Sequence, residues 1–138
     1  MTNPVLIKTI YINASPEVVW QYLVDKKKLG QWFHPAKSDA DQLQAGNNYS
    51  LVGKDGGDIC WGKVITAKEP THLSYTFTHD HLKGVETLVE WELTAVDGGT
   101  QLKLTHTGFE KLSEGMFSML VSHDKGWDEH LTRLRELS

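Results

Sequence analysis

Apolar positions divide the chain into a strand-like body and one strongly helical end. From Ser113 to Ser138 the residues Met116, Leu120, His123, Trp127, Leu131 and Leu134 recur at intervals of three and four, the period of a single helical face. The spacing predicts one long amphipathic helix with Ser113 as N-cap and Glu114 in the first turn, where the helix dipole favours an acid. Arg133 and Arg135 fall in the last turns, where it favours a cation. Upstream the period is two. Val85, Thr87, Val89, Trp91, Leu93 and Ala95 share a face opposite Glu86, Glu90 and Glu92. In the next segment Leu102, Leu104 and His106 oppose Gln101, Lys103 and Thr105, and Asp97-Gly98-Gly99 between the two is a hairpin signature. One face is core and the other solvent, as in a half-covered antiparallel sheet.

The remaining elements follow from local signals. Val5 to Asn13 reads as a strand. Ser15 caps a helix with Pro16 at its first position, and Val18, Val19, Tyr22 and Leu23 supply its apolar side. A second short helix covers Lys26 to Gln31 and ends at Trp32-Phe33-His34-Pro35. Residues 36 to 48 look irregular. Strands follow at Tyr49 to Gly53, Ile59 to Lys68 and Leu73 to Thr78, with a turn composition from Lys54 to Asp58. Two short helices after a first strand, about six strands and one long helix define an α+β class. A curved antiparallel sheet wrapped around the C-terminal helix satisfies every element, and the length predicts one domain over residues 1–138.

Composition narrows the function classes. The net charge of -4 leaves no basic footprint for nucleic acid, and Lys26-Lys27-Lys28 reads as a solvated helix end. No apolar run reaches a membrane span, so no stable membrane insertion is expected, and no signal-peptide pattern opens the chain. The lone Cys60 excludes an internal disulfide and fits the reducing cytoplasm.

Several segments together resemble a known family. They are Ala14-Ser15-Pro16-Glu17-x-Val19-Trp20, then Trp32-Phe33 with Pro35, then Gly62-x-Val64 leading to Pro70-x-x-Leu73. The Asp97-Gly98-Gly99-Thr100-x-Leu102 hairpin and Gly126-Trp127-x-x-x-Leu131-x-x-Leu134 complete the set. Their order and spacing resemble the AHSA1-like branch (activator of the heat-shock ninety-kilodalton chaperone ATPase homologue) of the SRPBCC superfamily, with its START-like, helix-grip fold. The resemblance spans essentially the whole chain. It implies a seven-stranded antiparallel sheet gripping the last helix, with an elongated apolar cavity between them. Members bind lipids, sterols, polyketides or plant phenolics there, and a few run cyclase or hydrolase chemistry. Many relatives carry Gly-Gly where this chain has Gly46-Asn47. Asn tolerates positive φ, so the turn is expected to survive.

Candidate cavity residues carry two readings each. Gly126 within a helical pattern suggests close backbone approach or a bend, and Trp127 beside it either floors the cavity or packs as core. Trp32 and Phe33, on the exit of a short helix, either line a pocket mouth or plug the open end of the sheet. The inward strand faces offer Tyr75, Phe77, Val89, Trp91, Leu104 and His106, and the last helix offers Met116, Phe117, Met119 and Leu120. His106 and His123 fall on apolar faces, where a neutral imidazole either hydrogen-bonds a ligand, acts as acid or base, or is satisfied by a neighbour. His79-Asp80-His81 could chelate but has no third ligand at a recognised spacing, His123 and His130 lack the carboxylate between them of the usual motif, and no metal or cofactor is expected. No nucleophile motif is present. The leading expectation is binding of a small hydrophobic or amphipathic molecule (lipid, sterol, polyketide or flavonoid-like). The alternatives are a cyclase or hydratase using His106 and a chaperone-associated interaction module, the last weakened because the eukaryotic activators carry an N-terminal domain that this chain lacks.

Overall fold

The protein is described by a computed structural model covering residues 3–38 and 40–137. Strand β1 (Leu6–Ile12) leads into helices α1 (Pro16–Val24) and α2 (Lys26–Trp32). Strands β2 (Ala36–Lys37), β3 (Asn48–Val52), β4 (Asp58–Lys68), β5 (His72–Phe77), β6 (Thr87–Val96) and β7 (Gly99–Thr107) follow, and α3 (Met116–Leu137) closes the described chain. The order across the sheet is β1-β7-β6-β5-β4-β3-β2, and every pairing is antiparallel. The first strand therefore lies beside the last, with Leu6 opposite His106 and Ile12 opposite Thr100. The expected helix-grip architecture is the one observed, with β2 added in a stretch whose composition gave no strand signal.

Local chemistry explains the element ends. Ser15 sits in extended backbone before α1, and its hydroxyl accepts from Val18 N at 3.4 Å. Asp25 ends α1 and starts α2, accepting from Lys27 N and Lys28 N at 3.0 Å each. Val19, Trp20, Leu23 and Val24 form the buried face of α1, whereas Val18, read as part of that face, is exposed. The start of α3 also differs from expectation. The helix begins at Met116, and Gly115, at φ 71°, accepts from Met119 N at 3.0 Å. Ser113 and Glu114 therefore lie before the helix rather than in its cap and first turn.

Two glycines meet particular backbone demands. Gly46 carries the positive φ of the turn before β3, so Asn47 is not asked to adopt it. In β4 a Cβ on Gly62 would stand 1.9 Å from the Thr76 carbonyl oxygen. The glycine lets β4 cross close over β5, where the ladder shifts register between Val64 and Thr66.

The core is filled by indoles. Trp91 packs edge-on against Trp32 at 6.0 Å and against Trp127 at 5.6 Å between ring centroids. Each indole N–H has an acceptor: Trp32 donates to Tyr22 O at 2.7 Å, Trp91 to Tyr75 Oη at 3.0 Å and Trp127 to His106 Nδ1 at 3.0 Å. That satisfaction is what lets three tryptophans sit in the interior without an orphaned donor. Leu104, Val89, Leu131 and Leu134 complete the layer between sheet and helix.

Candidate functional site

Sheet and helix meet fully only along the C-terminal half of α3. Trp127, Leu131 and Leu134 are its buried residues, whereas the turns before them are half-buried or exposed. Where the N-terminal half stands away, a cavity of about 190 Å³ remains. Phe33, Phe77 and Trp127 wall it with aromatic surface. Five of the chain's seven histidines line it as well: His34 after α2, His79 and His81 on the turn after β5, and His123 and His130 on α3. Cys60, Met119, Ser122 and Gly126 complete it.

This arrangement sorts the thirteen candidate residues. Phe33, Phe77, His123 and Trp127 come together at the cavity. Trp32, Tyr75, Val89, Trp91, Leu104 and His106 are buried in the core and do not line it. Met116 and Leu120 are half-buried on the helix outside it, and Phe117 is 76% exposed, pointing its ring to solvent. The lining expected from Met116, Phe117 and Leu120 fails because the first two turns of α3 rise off the sheet. Gly126 also behaves differently from expectation: a Cβ there would meet nothing within 4 Å. It opens space beside the cavity instead of letting the helix approach the sheet. His34, Cys60, His79, His81, Ser122, Gly126 and His130 were not read as lining. The sequence signals pointing at any of them are the adjacent His79-Asp80-His81, Gly126 within the helical pattern, and the seven-residue spacing of His123 and His130, two turns of one helical side.

His106 has no capacity left for a ligand. It is 0% exposed. The Trp127 indole donates to its Nδ1, so the neutral ring carries its proton on Nε2 and donates to Thr87 Oγ1 at 2.8 Å, which in turn donates to Phe77 O at 2.6 Å. Burial first, and the neighbouring His123 and His79 second, pull its pKa down to about 3. A ring with both nitrogens committed inside the core is not an acid or base for a bound molecule, which removes the proposed role of His106.

The imidazoles at the cavity form a connected set. His123 donates from Nδ1 to Met119 O at 2.7 Å, which leaves Nε2 as an acceptor in the neutral ring. His79 Nε2 lies 3.0 Å from that atom and must be the donor. The ring planes differ by 16° with centroids 5.1 Å apart, about the N–N separation plus two ring radii. The pair therefore meets end to end through an N–H···N bond. At the other side, Arg133 Nη1 lies 3.1 Å from His130 Nδ1 and 3.3 Å from Trp32 O. Burial is the first cause of every shift. It holds His79 and His130 down to about 4, aided by the neighbouring His123 and His81 for the first and by His34 and Arg133 for the second. His34 and His123 are lowered as well. Burial also raises the Cys60 thiol to about 12, so it is no nucleophile near neutrality. Among the described residues no three His, Cys, Asp or Glu side chains are grouped as metal ligands.

A curved sheet gripping a terminal helix, with a small aromatic and imidazole-lined hollow at one end, defines a helix-grip protein of the ligand-pocket type. The sequence matches the family described as "Activator of Hsp90 ATPase homolog 1-like protein" over residues 13–138, and the chain belongs to that family. Solved structures agree on the fold. CalU16 from Micromonospora echinospora shares 26% identity over 94% of this chain and 73% of its own, with a TM-score of 0.77. MLL2253 from Mesorhizobium loti shares 20% identity over 97% of this chain and 96% of its own, with a TM-score of 0.83. DynU16, a protein of the dynemicin biosynthetic locus, shares 20% identity over 98% of this chain and 47% of its own, with a TM-score of 0.79. No curated protein sequence matches the chain. No described helix is long and apolar enough to cross a membrane.

Proposed function

We propose that the protein binds a small, largely aromatic molecule with a polar substituent in the histidine-lined hollow. The observation that carries this is the separation of α3 from the sheet above Trp127, which leaves about 190 Å³ bounded by Phe33, Phe77 and Trp127. A cavity of about 150 Å³ accommodates benzene, and sites for drug-sized ligands run to about 300–1,000 Å³. One or two rings fit; the sterols and long acyl chains among the wider expectations do not. About 200 Å² of apolar ligand surface at about 25 cal/mol per Å² contributes about 5 kcal/mol before ordering costs. That alone corresponds to about 0.2 mM, so the imidazoles must add hydrogen bonds to reach micromolar affinity. CalU16 and the dynemicin-locus DynU16 support the reading only as proteins of the same fold. The free, buried Cys60 supports a reducing location such as the cytoplasm.

The test uses Gly126, where a side chain meets open space. Titration with indole and 2-naphthol, followed by NMR, should shift the resonances of His79, His123 and Trp127. Gly126→Leu should fill the hollow and weaken both ligands at least tenfold while the circular dichroism spectrum stays native. Absence of any shift in the native protein, or unchanged affinity in a folded Gly126→Leu variant, refutes the reading.

A further inference from the structure

The hollow has an unusual charge character. Its lining contains five imidazoles and no carboxylate, lysine or arginine. With the Cys60 thiol held neutral by burial, the charge it can acquire near neutral pH is positive, and only by taking up protons. The histidine pair is built to take one. His123 Nδ1–H is committed to Met119 O, and His79 Nε2–H is committed to His123 Nε2. His79 Nδ1 remains as the one nitrogen of the pair with no hydrogen-bond partner among the described residues. A proton from solvent added there turns His79 into an imidazolium and breaks neither existing bond.

Resting on the reading of the hollow as a ligand site, we propose that its ligand is a weak aromatic acid, bound as the anion together with one proton on the His79–His123 pair. The balance is one anion and one solvent proton taken up per site, so the complex gains no net charge. The groups facing the pair from the neighbouring elements pull both ways, and without an anion the opposing ones outweigh Asp80. On the turn after β5, Asp80 favours a proton on His79, while His81 opposes it. On α3, Asp124 beside His123 is engaged by Lys8 of β1, and Arg133 stands at the far side with His130 and, after α2, His34. His106 of β7 stays neutral within the core, and Cys60 of β4 stays a thiol. In the empty site, burial keeps the pair uncharged at neutral pH. An anion placed against the pair reverses that preference, because an opposite charge favours the protonated ring. A cationic ligand meets no counter-charge and excludes the proton.

The experiment is calorimetry with benzoate, benzyl alcohol and benzylammonium between pH 5 and 7.5, in buffers of different ionisation enthalpy. Benzoate affinity should rise as the pH falls, approaching tenfold per pH unit, with net proton uptake read from the buffer dependence. Benzyl alcohol should bind with no pH slope, and benzylammonium should not bind. His79→Asn should flatten the benzoate slope, with His123→Asn as the second variant if the first does not fold, whereas His72→Asn, on the exposed start of β5, should leave it intact. Benzoate binding without slope or proton uptake, beside normal binding of benzyl alcohol, overturns this inference and leaves the ligand site standing. A slope that survives in folded His79→Asn and His123→Asn proteins overturns it equally. If neither benzoate nor benzyl alcohol binds, both readings fall.

Discussion

The two halves of α3 face different interiors. From Trp127 onward the helix lies against Trp91, Leu104 and Val89, and the space is closed by rings and branched aliphatics whose few polar atoms are all bonded. Before Trp127 the same helix carries Met116, Phe117 and Leu120 away from the sheet, and imidazoles from three separate segments fill the gap incompletely. Trp127, held from the core side by its bond to His106, forms the wall between the two regions. The lesson is that a helix-grip fold does not require one continuous hollow. Large side chains at the packed end move the vacant space to the other end, where polar residues bound it and set what it can accept.

That contrast can be broken first at the packed end. Trp91→Ala removes a fully buried indole and is expected to cost about 3–5 kcal/mol, measured by urea unfolding. A cost below about 1 kcal/mol would mean the core collapses readily and is not the close-packed region described. The boundary is tested by acid. His106 has a pKa near 3 in the fold against about 6.5 in the unfolded chain. The unfolded state therefore binds the proton first. Stability is fully present above about pH 6.5 and is lost as the pH falls toward 3, by about 3 kcal/mol at pH 4 from this residue. His79 and His130 act in the same direction, less strongly because they are partly solvated. Unfolding curves at pH 7, 5 and 4 should show the loss, and a folded His106→Leu variant should show a shallower one. The smallest effect belongs to the open half. Phe117→Ser should change stability by less than about 0.5 kcal/mol and leave ligand titrations unaltered, because the ring faces solvent. A larger loss would place Phe117 in a contact that the fold does not show.

Much of the architecture was readable from periodicity. The alternation of Thr87, Val89, Trp91 and Leu93 marks the inward face of β6, and those four residues are buried. Ser15-Pro16 and Asp97-Gly98-Gly99 mark the first helix and the last hairpin, where they are found. These are local rules of backbone and capping chemistry, and they need no knowledge of the partner surface. The start of α3 was misread because Ser113 is a good cap in isolation, while Gly115 supplies the turn that the chain actually takes.

The site was far less legible. Strand alternation correctly puts His106 on the inner face, but only the tertiary structure shows Trp127 and Thr87 occupying both its nitrogens. His34, His79 and His123 are separated by dozens of residues, and the end-to-end bond between the last two exists only once β5 and α3 are packed. The sequence by itself determined most of the elements and the inward faces of the long strands, because those follow from the spacing of apolar groups and from turn chemistry, while β2 and the start of α3 escaped it. The extent to which helix and sheet meet, and therefore where the vacancy lies and which side chains border it, was decided by three-dimensional packing, since side-chain volumes compete for one interior and no local pattern records the outcome.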